Sequence, residues 1–72
     1  MNTIDARGLS CPEPVIMIKD AMATKEAAYE IIVDNTTSKE NVTRYAEHQG
    51  YQVTVTEKDG EYTLSITERS GE

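Results

Sequence analysis

Hydrophobic side chains recur every three to four residues in two stretches of the chain, which is the spacing of a helix that buries one face. The first stretch predicts a helix from residue 12 to about residue 23. Its core-facing residues are predicted to be Val15, Ile18 and Met22, with Ile16, Met17 and Ala21 widening the apolar stripe.

The second helical stretch begins with a capping-box pattern, in which Thr37 is predicted as the N-cap residue and Glu40 follows at the third helical position. Gly50 is typical of the residue that follows a last helical turn, so the helix is predicted to end there. The apolar stripe between these ends contains Val42, Tyr45, Ala46 and Gln49.

The other hydrophobic residues predict strands. Residues 3–6 form a short strand that leads into a turn at residues 7–10, and residues 29–34 are mostly apolar, as in a central strand. After Gly50 the pattern alternates, with apolar residues at Tyr51, Val53, Val55, Tyr62, Leu64 and Ile66. The pair Asp59-Gly60 between the two alternating runs predicts a two-residue hairpin turn.

These elements follow one another in the order β-α-β-α-β-β. The second face of the predicted hairpin is wholly polar, with Gln52, Thr54, Thr56, Thr63, Ser65 and Thr67. The predicted fold is therefore an α/β (α+β) two-layer sandwich, with a mixed four-stranded sheet and two helices on one face. We expect residues 1–69 to form a single domain, and residues 70–72 to be a frayed tail or the start of a linker.

Composition excludes several classes of function. The chain has 72 residues and a formal net charge of −6, with seven Lys and Arg, so it lacks the basic face that direct nucleic-acid binding needs. Its one cysteine excludes an internal disulfide, a CxxC redox pair and a cysteine-rich zinc site, and we expect no metal and no cofactor. No apolar stretch is long enough to span a membrane, and the first residues lack signal-peptide features. We therefore expect a cytoplasmic protein without a membrane partner.

The single cysteine, Cys11, is followed by Pro12 and Pro14 at the start of the first predicted helix. Proline is tolerated in a first helical turn, and it holds the residue before it in an extended conformation. Cys11 is thus predicted to lie at the mouth of the helix, where the free amides and the helix dipole favour the thiolate over the thiol.

Two loops are predicted to meet at this cysteine. The first two strands are joined by a helix and should be parallel, so their C-terminal ends lie at one edge of the sheet, where α/β folds usually bind ligands. Residues 7–14 form one loop at that edge and residues 34–37 form the other. Both loops end at helix N-termini, which therefore converge near Cys11.

Four further residues of these loops are candidates for supporting roles. Arg7 would either place a cation near the thiol or pair with Asp5 or solvent. Gly8 would supply a positive φ in a tight loop. Asp34 and Thr37 are predicted as turn and cap residues of the second loop. The carboxylates of Glu13 and Asp34 oppose the thiolate, so we predict that Cys11 is only moderately activated.

The N-terminal motif reads Asp5-x-x-Gly8-Leu9-x-Cys11-Pro12-x-Pro14, and the later strand ends in Val33-Asp34. With these motifs the chain resembles the SirA-like, or TusA-like, family of sulfur-carrier proteins over essentially its whole length. From Asp34 through the second helix it is more similar to the N-terminal domain of YedF-type proteins. In those proteins a carrier-like domain is joined to a second domain, and some are linked to selenium metabolism.

The resemblance implies that Cys11, positioned by Pro12 and Pro14, accepts a sulfane sulfur as a persulfide. The donor would be a cysteine desulfurase or another sulfur-donor protein, and the acceptor a downstream protein. The alternative is a non-catalytic interaction or redox-regulatory domain, YedF-like and selenium-related, in which Cys11 is not a transfer group. A Cys–His hydrolase is a poor fit, because the lone His48 is predicted at the far end of the second helix.

Overall fold

A computed structural model of the chain describes residues 2–9, 13–24 and 26–68. The elements are β1 (Asn2–Asp5), α1 (Glu13–Met22), β2 (Ala28–Val33), α2 (Thr36–His48), β3 (Tyr51–Lys58) and β4 (Glu61–Glu68). Their order is the predicted β-α-β-α-β-β.

The four strands form one mixed sheet in the order β1-β2-β4-β3. β1 and β2 are parallel, because the chain crosses between them through α1, whereas β4 pairs antiparallel with both β2 and β3. The prediction that β2 is central is confirmed. β3 lies at one edge of the sheet and β1 at the other.

The turn between β3 and β4 consists of Asp59 and Gly60, which have φ values of 53° and 79°. Positive φ at both central residues is the conformation that a two-residue hairpin with the normal strand twist requires. Lys58 pairs with Glu61 directly beside the turn, so the predicted hairpin is confirmed.

The core lies on one face of the sheet, beneath both helices. Alternate residues of β2 and β4 are buried there and form a hydrophobic cluster with residues of both helices. The set is Tyr29, Ile31, Val33, Leu64, Ile66, Ile18, Val42 and Ala46. On the other face, polar side chains of β3 are exposed and those of β4 are half-buried. The two-layer sandwich is thus confirmed.

The predicted core stripes of the helices were too wide. Ile16 is 49% exposed, because at 3.6 residues per turn it lies about 200° around α1 from both Pro14 and Ile18, the residues that α1 buries. Gln49 is also exposed, since it is the C-cap residue of α2 and lies beyond the last helical turn.

The predicted capping box of α2 was wrong. The N-cap residue is Asn35, in an extended conformation, and its side-chain Oδ1 accepts a hydrogen bond from the Ser38 amide at 2.7 Å. Asparagine is at least as good an N-cap residue as threonine, and here it comes first in the chain. The helix therefore starts at Thr36, which places Thr37 in the first turn with an exposed side chain.

Among the helices that the structure describes, none has the length and apolar composition needed to cross a membrane.

Candidate functional site

The C-terminal ends of β1 and β2 lie side by side. The Ala6 amide, just after β1, donates to the Ile32 carbonyl at 2.9 Å, and Val33 at the end of β2 pairs with Tyr62 at the start of β4. Residues 6–9, residues 34–35 and the start of β4 therefore share one edge of the sheet, which we call the carboxyl edge.

A hydrogen bond connects the two loops that lie at the carboxyl edge. The Gly8 amide donates to Asp34 Oδ2 at 2.8 Å, and the side-chain amide of Asn35 donates to Asp34 Oδ1 at 3.2 Å. Gly8 has the predicted positive φ, 79°. Asp34 is thus more than a turn residue, because it ties the loop that leads to Cys11 to the loop that leads into α2.

Arg7 is held by two carboxylates from different parts of the chain. Its guanidinium lies 2.8 Å from Asp5 Oδ2 and 3.2 Å from Glu61 Oε2. Hydrogen bonds from the Arg7 side chain and backbone amide lower the pKa of the Asp5 carboxyl to about 2, while Asp5 and Glu61 together raise the pKa of Arg7. The charge of Arg7 is therefore paired locally. Its pairing with Asp5 is one of the two outcomes that the sequence left open, whereas the sequence did not indicate the pair with Glu61.

The second cation of the carboxyl edge also has a partner. Lys39, in the first turns of α2, places its Nζ 5.1 Å from the centre of the Tyr62 ring, a cation–π contact. Among the described residues at this edge and directly beside it, the carboxylates of Asp5, Asp34 and Glu61 lie together with the cations of Arg7 and Lys39.

The first turn of α1 combines an exposed acid with a buried proline. Glu13 is exposed, whereas Pro14 is among the fully buried side chains of the protein. Pro14 thus lies in the first turn of the helix and also packs in the interior. Cys11 and Pro12 lie outside the described residues, so the predicted position of the thiol at the mouth of α1 stays a prediction.

Sequence reasoning did not single out Ser38 or Glu61. Ser38 is 1% exposed, and its Oγ has no hydrogen-bond partner within the described parts of the chain. Its position four residues before Val42, on the buried stripe of α2, was the signal that could have identified it. Glu61 was harder to identify from the sequence. The only indication was its position as the first residue after a hairpin turn, at the carboxyl edge.

His48 lies where the sequence predicted, at the last residue of α2 and exposed. The length of the helix places it about 18 Å from the carboxyl edge at 1.5 Å per residue.

The model of the protein family described as sulfurtransferase TusA matches residues 2–68. This chain belongs to the TusA family. Its fold is also that of a solved family structure, the SirA-like protein from Desulfitobacterium hafniense, with 43% sequence identity, complete coverage of both chains and a TM-score of 0.87. A comparison with curated proteins gives no match. Membership of the TusA family implies a sulfur-carrier role, as the sequence motifs predicted.

Proposed function

We propose that this protein carries a sulfane sulfur as a persulfide on Cys11 and passes it to another protein. The observation that supports this proposal most strongly is the TusA family match, which runs from residue 2 to residue 68 and so includes the only cysteine of the chain. A family of sulfurtransferases requires a sulfur-bearing group, and Cys11 is the only thiol that this chain has.

The transfer needs two nucleophilic steps, one that loads the sulfur onto Cys11 and one that passes it to the acceptor. The Cys11 thiolate attacks the outer sulfur of a persulfide on the donor protein, the donor's S–S bond breaks, and the donor cysteine leaves as a thiolate. Cys11 then holds the persulfide, until an acceptor thiolate attacks its outer sulfur and releases Cys11 as a thiolate. Each step exchanges one S–S bond for another, so no external oxidant or reductant is consumed.

Several residues at the carboxyl edge fix the chain on either side of Cys11, which supports this chemistry. The bond from the Gly8 amide to Asp34 holds the loop that precedes Cys11, and buried Pro14 holds the start of α1 just beyond it. Arg7 stiffens the same loop through its ion pairs with Asp5 and Glu61. Pro12 completes the Pro-x-Pro element, and helix N-termini favour the anionic sulfur.

The charge of the chain favours protein partners. A net charge of −6 gives no basic face for tRNA or other nucleic acids, so both donor and acceptor should be proteins. We propose a cysteine desulfurase or a similar sulfur-donor protein upstream, an acceptor protein downstream, and a cytoplasmic location.

The test is to incubate the protein with a cysteine desulfurase and free cysteine, and then to measure its intact mass under non-reducing conditions. We expect the mass of one additional sulfur atom, which a reductant removes. The Cys11→Ser variant is the matched control, since it differs by one atom and should stay unmodified. Absence of the adduct on the wild-type protein, with a demonstrably active desulfurase, would contradict sulfur carriage and favour an interaction or regulatory domain.

A further inference from the structure

The outer side of β3 is an open edge of the sheet. Among the described residues β3 pairs with β4 alone, in an unbroken register that starts at Lys58 and Glu61 beside the turn. The two-residue turn makes Lys58 and Glu61 a hydrogen-bonded pair, so every second residue back along β3 directs its backbone toward β4. The residues between them, which include Val53, Val55 and Glu57, direct their amides and carbonyls outward. A row of backbone donors and acceptors therefore lies open along this edge.

The sequence of β3 lacks the features that usually protect an edge strand. Proteins shorten such strands, bulge them, or place proline or charged residues along them, because an open edge can pair with another chain. β3 has eight residues, with no proline and no bulge, and its charged residues Glu57 and Lys58 stand at its end. Its middle, residues 53–56, is a run of β-branched valine and threonine, which favours strand pairing.

An exposed valine and the outer face of α2 line a groove beside this edge. Val55 is 40% exposed, although it lies opposite the fully buried Leu64 and so on the helix side of the sheet. The groove is lined by Val55 and by residues of α2, namely Lys39, Glu40, Thr43, Arg44 and Glu47. In the described chain, Val55 and Ile16 are the large hydrophobic residues that are exposed. The edge of β3 thus has an apolar contact point next to its open backbone groups.

The charges of this surface favour a second copy of the chain as its partner. Together, β3 and the residues of the groove carry three acids and three cations. These are Glu40, Glu47, Glu57, Lys39, Arg44 and Lys58. The surface therefore has no net charge, and the whole net charge of −6 lies elsewhere on the chain. Two copies can approach each other here without the repulsion that their other surfaces would impose.

A two-fold axis at Val55 would also bring opposite charges together. Thr43 lies with Val55 in the groove, midway along α2 between Lys39 and Glu47. An axis there makes the two copies of α2 antiparallel, so Lys39 of each copy faces Glu47 of the other. The surface is self-complementary, as a symmetric contact requires.

We propose that β3 pairs antiparallel with β3 of a second copy, about a two-fold axis at Val55. The outward amides and carbonyls of the two strands then bond each other, and the two sheets become one sheet of eight strands. The two Val55 side chains lie directly opposite each other. Glu57 lies opposite Val53 and Lys58 opposite Gln52, so no like charges are paired across the contact.

This pairing leaves β1 and its following loop open. β1 and β3 are the two outer strands of the sheet, with β2 and β4 between them. At the usual strand spacing they lie about 14 Å apart. The loop of residues 6–9 therefore stays accessible to another protein in the dimer, and the proposal holds whether or not the chain carries sulfur.

The first test measures the mass of the protein in solution by sedimentation equilibrium, from about 10 μM to about 1 mM. We expect the wild type to pass from the chain mass of 8.0 kDa to twice that mass. Val55→Lys places like charges opposite each other at the axis and should raise the dissociation constant about tenfold or more. Ile16→Lys is the matched control, since it makes the same change at the other exposed hydrophobic residue, and it should associate like the wild type.

Val55→Pro tests the role of the backbone. It removes an amide that points outward, so the β3–β4 ladder keeps its hydrogen bonds, and proline is tolerated at such an edge position. We expect this variant to keep the circular dichroism spectrum of the wild type and to sediment as a monomer. If it does not fold, Val55→Lys and the following cross-link decide the question.

Oxidation of the double variant Cys11→Ser/Val55→Cys tests the register. Opposite residues of a hydrogen-bonded antiparallel pair have Cα atoms about 5.5 Å apart, which is within the range of a disulfide. We expect a disulfide-linked dimer, whereas Cys11→Ser/Ile16→Cys should remain mostly monomeric. A wild type that stays at the monomer mass throughout overturns the proposal, even if the edge then pairs with a strand of another protein. A dimer that neither Val55→Lys nor Val55→Pro weakens overturns it as well, because the two copies then meet elsewhere.

Discussion

Arg7 connects the end of β1 to the start of β4 through charged hydrogen bonds. It bonds Asp5 at the end of β1 and Glu61 at the start of β4, which is 54 residues away in the chain. Exposed ion pairs contribute little to stability when isolated, so the importance of this cluster lies in holding the loop before Cys11 in place.

The Asp5–Arg7 pair makes a testable contribution to acid stability. Hydrogen bonds from Arg7 lower the pKa of Asp5 from 3.8 to about 2 in the folded protein. A depressed carboxyl pKa stabilises the fold above the unfolded-state pKa, and this stabilisation is lost as the pH falls from about 4 to about 2. We expect Asp5→Asn to lower the Tm at pH 7 and to converge with the wild type near pH 2.

Thermal unfolding followed across this pH range checks the prediction. Asp20→Asn, a change of the same kind on the exposed side of α1, is the control and should show no such convergence. A Tm difference between Asp5→Asn and wild type that stays constant down to pH 2 would contradict the assigned role of the pair.

Asp34 and Ser38 show how one short segment can serve both the fold and the site. Asp34 accepts from the Gly8 amide and so fixes one loop, while the Ser38 amide donates to Asn35 and so fixes the start of α2. Only the Ser38 hydroxyl has no such structural partner among the described residues.

Among the secondary-structure elements, the start of α2 can be tested by substituting its N-cap residue. The side chain of Asn35 satisfies the Ser38 amide, whereas Thr37 is exposed in the first turn. We expect Asn35→Ala to lower the free energy of unfolding by about 1 kcal/mol, and Thr37→Ala to change it by less than about 0.5 kcal/mol. Urea denaturation of the two variants measures both values. A larger loss in Thr37→Ala than in Asn35→Ala would restore the capping box that the sequence predicted.

The elements themselves could be predicted because their periodicities are clear. The alternation after Gly50 and the Asp59-Gly60 pair specify a hairpin, and the mostly apolar β2 specifies a central strand. The helix start was harder, because Asn35 and Thr37 are both good N-cap residues two positions apart. Only the three-dimensional path of the chain decides which of them reaches a free amide.

The site was predicted in part for a similar reason. The loops that carry Gly8 and Asp34 could be placed together from topology, since parallel strands end at the same edge. Asp5 was open as a partner of Arg7 from sequence proximity. Glu61 could not be chosen in this way, because it lies far along the chain and reaches Arg7 only through the strand order. The burial of Ser38, by contrast, was available from its spacing to Val42 on the buried stripe of α2, but the absence of a partner for its hydroxyl among the described residues was not.

At the scale of the whole molecule, the two faces of the sheet should respond very differently to substitution. Leu64 is fully buried beneath the helices, while Thr54 is exposed on the opposite, polar face. We expect Leu64→Ala to cost about 2–5 kcal/mol of unfolding free energy, and Thr54→Lys less than about 0.5 kcal/mol. A loss of several kcal/mol in Thr54→Lys, measured by urea denaturation, would mean that another layer or a partner covers the polar face.

Sulfur carriage depends most directly on whether the Cys11 thiol is accessible and ionised in the folded protein. The measurement is the rate of iodoacetamide alkylation as a function of pH, on the folded protein and on the same protein in denaturant. We expect Cys11 to react in the folded state, with an apparent pKa below the value of about 8.5 for an unperturbed thiol, because a helix N-terminus favours the thiolate. The depression should be about 1 or less, since Glu13 and Asp34 oppose it. A thiol that reacts only after unfolding, or a pKa higher in the folded than in the denatured protein, would contradict the presentation of Cys11 as a sulfur acceptor.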